Sequence, residues 1–253
     1  RVRVHDKFGL VAAYQNLALV QEQLGEVRPA MRNYQQALDY ARETGYLQGE
    51  ATVEVNLSNL QRWTGMVSAA VEHGARGLEL AERLNEPMIR IAALENLGLA
   101  SAATGRGEEG LRLLERALAE ARRIEAAEKA VAVELHVLEL RCEGEFVTAR
   151  DVERGGELLE RVESAGYRDL VPQACRVKGR LLLKAATSNG LTPPEYLELS
   201  LRYAIQNENV FEEYETLKRL VDLTEDMAPA GSLRAWRTRL QRIEEMLQIR
   251  RVA

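Results

Sequence analysis

Apolar residues recur along the chain at the three- and four-residue steps of an α-helix. The first stripe is Leu10, Ala13, Tyr14, Leu17, Ala18 and Val20, and Gly25 ends it, where a left-handed residue closes a helix. A second stripe of Ala30, Tyr34, Ala37, Leu38 and Ala41 predicts a helix over Val27–Glu43. Pro29 falls in its first turn, where a missing N–H costs nothing. This pair then repeats. Gly25, Gly65, Gly105 and Gly144 are spaced 40, 40 and 39 residues apart. Asn16, Asn56 and Asn96 align, each followed by a leucine (Leu17, Leu57, Leu97) and then a small residue (Ala18, Ser58, Gly98). Ala30, Ala70 and Gly110 form another column, as do Leu38, Leu78 and Leu118, and Ala41, Ala81 and Ala121.

The small residues have a packing reason. Ala18, Ser58 and Gly98 sit mid-helix where the partner helix crosses, with Ala30 and Gly110 as the reciprocal positions. A large side chain there would push the axes apart. Beyond residue 125 the columns weaken. Residues 128–143 and 146–164 form a fourth pair around Gly144, with Ala149 in the place of Ala30 and Gly156 in that of Ala37. Val171–Ala186 reads as a fifth first helix, followed by the turn cluster Ser188-Asn189-Gly190. Thr192, Pro193 and Glu195 read as cap, first helical residue and capping-box acid, and Asn209 with Glu212 repeats that logic. After a break at Met227–Gly231, containing Pro229, a last helix runs from Ser232 to Arg250. No Gly/Ser or Pro linker divides the chain. The reading is one all-α domain over residues 1–253, with about six helix pairs. The clear repeats are 6–45, 46–85 and 86–125, and the degenerate ones 126–165, 166–207 and 208–253.

These columns resemble the tetratricopeptide repeat, whose pattern places an aromatic, Leu-Gly and an aromatic in helix one and Ala with an aromatic in helix two. Tyr14, Leu17, Ala18, Ala30, Tyr34 and Ala37 match in the first unit, and Leu94, Leu97, Gly98, Leu114 and Ala117 in the third. The 40-residue period is similar to the long variant of kinesin light chains and spindle-orientation scaffolds. It is also similar to the sensor and adaptor arms of bacterial signalling ATPases and maltose-regulator-type activators. Ala93–Ala100 with Thr104–Gly110 looks most like this bacterial type. The resemblance implies a right-handed α-α superhelix, a tetratricopeptide-like solenoid with its first helices lining the concave side. Departures are the absent proline after helix two, Glu54 at an aromatic position, and poor matches in the last three repeats.

Composition narrows the function classes. The formal charge is −5, with 39 acidic against 34 basic residues, so no basic excess drives nucleic-acid binding and nucleic acid is not an expected partner of this domain. No apolar run approaches the ~20 residues of a membrane span, and none opens the chain as a signal peptide. Two cysteines make neither a disulfide framework nor a four-ligand zinc site, and a reducing cytoplasm is the simplest setting. Most basic residues are Arg, which is compatible with a GC-rich bacterial genome. The histidines His5, His73 and His136 fall at unrelated repeat positions, with no metal-ligand partner on the same helix. Arg154-Gly155-Gly156 lacks the Lys-Ser/Thr of a phosphate loop. The expectation is no enzyme, no cofactor and no metal. Cys142 and Cys175 read as buried inert thiols. The last helix is basic at Arg234, Arg237, Arg239, Arg242, Arg250 and Arg251, and reads as a capping helix with a solvated face.

The concave groove is the better place for function. By the family pattern its candidates are Gln15, Leu19 and Glu22; Val55, Asn59 and Arg62; Glu95, Leu99 and Ala102; and Glu134, Leu138 and Arg141. Asn is a mediocre helix former, so Asn16, Asn56 and Asn96 in register need a reason. Two readings stay open: the amides grip a peptide backbone, or each bonds a neighbouring helix across the repeat junction. Asn59 and Arg62 break the period, since Leu and Glu or Ala stand there in the flanking repeats. Departure from the repeat is what a specific site looks like. The expected function is a non-catalytic scaffold holding another protein or a peptide in the groove, as an adaptor or sensor arm of a larger bacterial regulator. The alternative is a small-ligand sensor attached to a signalling ATPase or transcriptional activator. Self-association is a further option.

Overall fold

A computed structural model of the chain describes residues 4–144, 147–185, 191–223, 227–228 and 231–247, and of residues 4–6 the backbone alone. Among these, all regular structure is helical. The helices are α1 (Val4–Gln23), α2 (Val27–Thr44), α3 (Leu47–Trp63), α4 (Val67–Leu84), α5 (Pro87–Ala103) and α6 (Gly107–Arg123). There follow α7 (Ala127–Arg141), α8 (Ala149–Ala165), α9 (Val171–Ala185), α10 (Pro193–Gln206), α11 (Val210–Val221) and α12 (Ser232–Leu247), with one 3-10 turn at Arg168–Leu170. From α1 to α6, and from α8 to α11, helices consecutive in the chain pack on one another, and the chain divides into two compact units: Arg1–Ala130 with Leu247–Ala253, and Val131–Met246. Ala186, the Ser188-Asn189-Gly190 cluster, Pro229, Arg250, Arg251 and the side chain of His5 lie outside the described residues.

In the first unit one turn device is used six times. Gly25, Gly45, Gly65, Asn85, Gly105 and Glu125, each 20 residues from the last, take left-handed backbone with φ between 53° and 85°. Past each, an N–H turns back to the carbonyl five residues earlier: Glu26 to Gln21, Tyr46 to Ala41, Met66 to Gln61, Glu86 to Ala81, Arg106 to Ser101, Ala126 to Ala121, at 2.8–3.1 Å. This satisfies carbonyls that the helix end would orphan. The second helices then bury the expected rows, with Ala30, Tyr34, Ala37, Leu38 and Ala41 all inside. At the α3/α4 crossing Ser58 Oγ donates to the Ala70 carbonyl at 2.7 Å. At the α5/α6 crossing a Cβ on Gly110 would stand 2.5 Å from the Gly98 carbonyl, and one on Gly98 3.0 Å from the Gly110 carbonyl. α1 packs on α3 and α3 on α5, so first helices stack on first helices.

Three expectations fail on residue positions. Leu17 and Val20 were expected inside but are exposed. Gly144 is not left-handed, and α7 and α8 are joined by seven residues instead of two or three. Ala149 is the exposed first residue of α8, and its buried row is Asp151, Gly155, Leu158 and Val162. That row repeats the 4-3-4 spacing of Ala30, Tyr34, Ala37 and Ala41, so Leu158, not Gly156, takes the place of Ala37.

The second unit has its own core, joining Leu135 and Leu138 of α7, and Cys142 just after it, to Leu158 and Val162 of α8 and Ala174, Cys175 and Leu181 of α9. α10 opens as read: the N–H and Oγ1 of Thr192 both donate to Glu195 Oε2 at 2.7 Å, ahead of Pro193. For α11, Asn209 Oδ1 accepts the Glu212 N–H at 3.1 Å, but the Glu212 carboxylate turns to Arg176 instead of closing a box.

Candidate partner-binding site

The two residues that break the period meet at the C-terminal ends of α1 and α3. Asn59 Nδ2 donates to Glu22 Oε1 at 3.3 Å, and its Oδ1 accepts from Arg62 Nη2 at 3.2 Å. Tyr34 of α2 donates its hydroxyl to Glu22 Oε2 at 2.7 Å. The Arg62 guanidinium lies 4.2 Å from the centroid of the Trp63 ring, within cation–π range. Burial pushes the Glu22 carboxyl above its ordinary value, against the hydrogen bonds of Tyr34 and Asn59 and the charge of Arg62. Burial, followed by the Glu22 charge, likewise raises Tyr34, so its hydroxyl stays protonated and donating. Glu22, Asn59, Arg62 and Trp63 are each half-buried. The arrangement offers one amide, one guanidinium and one indole on a surface whose internal charge is already balanced. A carboxylate or a peptide backbone is the chemistry such a set can meet.

The other candidates lie elsewhere. Asn96 Nδ2 donates to the Val55 carbonyl at 3.0 Å, from α5 to α3, which is the junction bond of the second reading. Asn56 is half-buried and Asn16 exposed. Glu95 is buried and pairs with Lys129. Arg141 donates to Asp151 Oδ1 at 3.0 Å, and the same Asp151 closes a capping box with Thr148 at the start of α8. Glu134 receives two parallel bonds from Arg154, at 2.8 and 2.9 Å. Val55 and Leu138 are buried in the core, not open to a groove. The fourth triad was placed through Gly144 and so slips by one. At a 40-residue step the in-register residues are Leu135, Glu139 and Cys142, and His136 continues the Asn column.

Sequence reading missed two sets of buried charge. Glu54, at the expected aromatic position, is 1% exposed and accepts from Arg42 Nη2 at 2.7 Å and His73 Nδ1 at 2.5 Å. The larger set lies in the second unit around Arg176, which is 2% exposed. Its Nε and Nη2 meet the two oxygens of Glu139 at 2.9 and 3.2 Å, and Nη1 meets Glu212. Arg180 bridges Glu139 at 3.2 Å and Glu143 at 2.7 Å, and Arg219 reaches Glu143 at 2.8 Å. Burial alone would push Glu139 up, but Arg176 and Arg180 hold it well below the ordinary carboxylate range. The available signal was Arg176 and Arg180, four residues apart and so on one face of the helix, among Ala174, Cys175, Val177 and Leu181.

Both cysteines are buried, and burial pushes Cys142 up to about 11 and Cys175 up to about 12. They are therefore thiols at neutral pH, poor nucleophiles and poor metal ligands. Among the described residues no group of three His, Cys, Asp or Glu side chains is placed to hold a metal ion, and no helix is long and apolar enough to cross a membrane. In α12, Trp236 and Ile243 face inward while Arg234, Arg237, Arg239 and Arg242 are exposed, with Arg239 paired to Glu213. No family model matches the chain, and no curated protein matches it.

Proposed function

We propose that the chain is a non-catalytic helical scaffold that holds a segment of another protein against the ends of α1 and α3. The observation that carries this reading is the cluster of Asn59, Arg62 and Trp63. Asn59 and Arg62 depart from the 40-residue pattern, yet with Trp63 they are joined to one another and half-open to solvent. The reading includes a tetratricopeptide-like solenoid with right-handed superhelical stacking, supported within the first unit by the packing of α1 on α3 and α3 on α5. It also includes a cytoplasmic setting as the adaptor or sensor arm of a bacterial regulator, supported by the resemblance of the first three repeats and by two cysteines kept as thiols.

The test uses the full chain with a photo-crosslinking residue at position 62, compared with one at the exposed Arg116 of a second helix. A protein captured at 62 and not at 116 is purified and titrated against the parent and an Asn59→Ala/Arg62→Ala variant. Removing Arg62 from a buried contact leaves the partner's charge unpaired, a cost of about 2–5 kcal/mol of binding. Unchanged affinity of the double variant overturns the assignment.

A further inference from the structure

α1 has the sequence of a helix covered on every side. From Phe8 to Gln21 it carries no charged residue, and a helix that is apolar all round is ordinarily buried. Yet Leu17, Val20 and Leu24 are 47%, 52% and 63% exposed. With the exposed Ala13 they form one stripe at steps of four, three and four residues along the helix. Forty residues on, the same stripe is Val53, Leu57, Leu60 and Thr64 of α3, and all four are buried. α3 differs from α1 in having the α1/α2 pair ahead of it and packed on it.

We propose that this stripe is a stacking surface for a further helix pair of the chain's own 40-residue type, whose second helix lies on α1 as α2 lies on α3. The surface continues the α2/α3 interface by one period. It holds no charge, so an apolar helix face can cover it without burying an unpaired ion. Its size selects a covalently joined pair over a second copy. A helix of 20 residues is about 30 Å long, and one face about 10 Å wide presents about 300 Å². Stable complexes between separate chains bury about 800 Å² per partner. A pair joined through a short turn needs less, because the linkage supplies a high effective concentration.

The experiment fuses a second copy of residues 6–45 directly ahead of residue 6 of the full chain, so that the copy's own Gly45 serves as the left-handed turn. Amide exchange across residues 13–24 is then expected to slow by about tenfold or more, since three half-exposed aliphatic side chains become covered. Leu17→Ala, nearly silent in the parent chain, is expected to lower the denaturation midpoint of the fusion, as befits the counterpart of Leu57. Unchanged exchange in α1, with the added pair itself unprotected, overturns the proposal. So does a parent chain that sediments as a dimer and is dissociated by Leu17→Glu, because the occupant is then a second copy.

Discussion

α5 and α6 approach closely at Gly98 and Gly110, and this gives a graded prediction. A methyl group at Gly110 would stand 2.5 Å from the Gly98 carbonyl oxygen, 3.0 Å from Ala102 Cβ and 3.2 Å from Ala102 N. Two of these three atoms are backbone of α5, so no side chain can swing aside and the helices must separate. A gap of 0.5–1 Å forfeits roughly a quarter to a half of the dispersion attraction at each contact, and overpacking of this kind costs about 1–3 kcal/mol. The exchange also gains about 1 kcal/mol, because Ala is the better helix former. Gly110→Ala should therefore destabilise by up to about 2 kcal/mol. Gly98→Ala should be milder, since its Cβ meets nothing nearer than the Gly110 carbonyl at 3.0 Å. Gly107, three residues earlier in the same helix, has nothing within 4 Å of a Cβ. Gly107→Ala should stabilise by about 0.4–1 kcal/mol through the unfolded chain. Urea denaturation followed by helical circular dichroism ranks the three at constant slope. If Gly110→Ala stabilises as much as Gly107→Ala, α5 and α6 do not cross this closely and the reasoning fails.

Asn96→Ala removes the amide bond to the Val55 carbonyl and should cost about 0.5–1.5 kcal/mol, whereas Asn56→Ala should lie within about 0.5 kcal/mol of the parent; thermal melts that rank them the other way refute the junction role of Asn96. Glu139 is held below its ordinary value of 4.5 in the folded chain, so the unfolded chain takes up its proton first, and the stability it supplies is present above about 4.5 and lost as pH falls below it. Denaturation midpoints along an acid series should show this loss, and Glu139→Gln, which leaves Arg176 and Arg180 buried with a missing partner charge, should destabilise by about 3–5 kcal/mol at neutral pH. Cys142 and Cys175, buried and held as thiols, should react with a thiol reagent only on unfolding; rapid labelling of the native chain contradicts their placement.

What the sequence disclosed follows from what each residue has to satisfy alone. The rows of Ala30, Tyr34, Ala37 and Ala41 and the pair Gly98/Gly110 are limited by size at a helix crossing, and size is written in the residue itself. The left-handed positions were half legible. Gly25, Gly65 and Gly105 stand out, but the alternate turns are Gly45, Asn85 and Glu125, and nothing marks a glutamate as left-handed. Taking Gly144 as the fourth mark therefore shifted the α7 register by one residue, and α8 was placed through Ala149 instead of Asp151. The buried ions were illegible for a different reason. Glu139 meets Arg176 and Arg180, 37 and 41 residues on, and a lone charge in a helix reads as solvated until its partner is known. Glu54 was visible as an anomaly, but Arg42 and His73, which make it tolerable, were not.

Within the first unit, every junction between first helices is tied by a different polar contact. Asn59 with Glu22 joins α1 and α3, Asn96 with the Val55 carbonyl joins α3 and α5, and Lys129 with Glu95 joins α5 and α7. The apolar columns cannot supply such distinctions, because they are nearly the same in each repeat. Their likeness would let a helix pair stack on the wrong neighbour, with one 40-residue unit skipped. In a skipped stack Glu22 would face Leu99 in place of Asn59, and a half-buried carboxylate would lose a donor. Polar contacts that differ from junction to junction thus penalise misordered stacking while the shared apolar rows set the common geometry. This gives Asn59 a use inside the fold through its Nδ2 bond to Glu22. Beside it, Arg62 Nη2 donates to Asn59 Oδ1 and the guanidinium lies over the adjacent Trp63. The Arg62 charge also acts on Glu22 of α1 and favours its carboxylate form, so Arg62 supports the same α1/α3 junction that Asn59 ties.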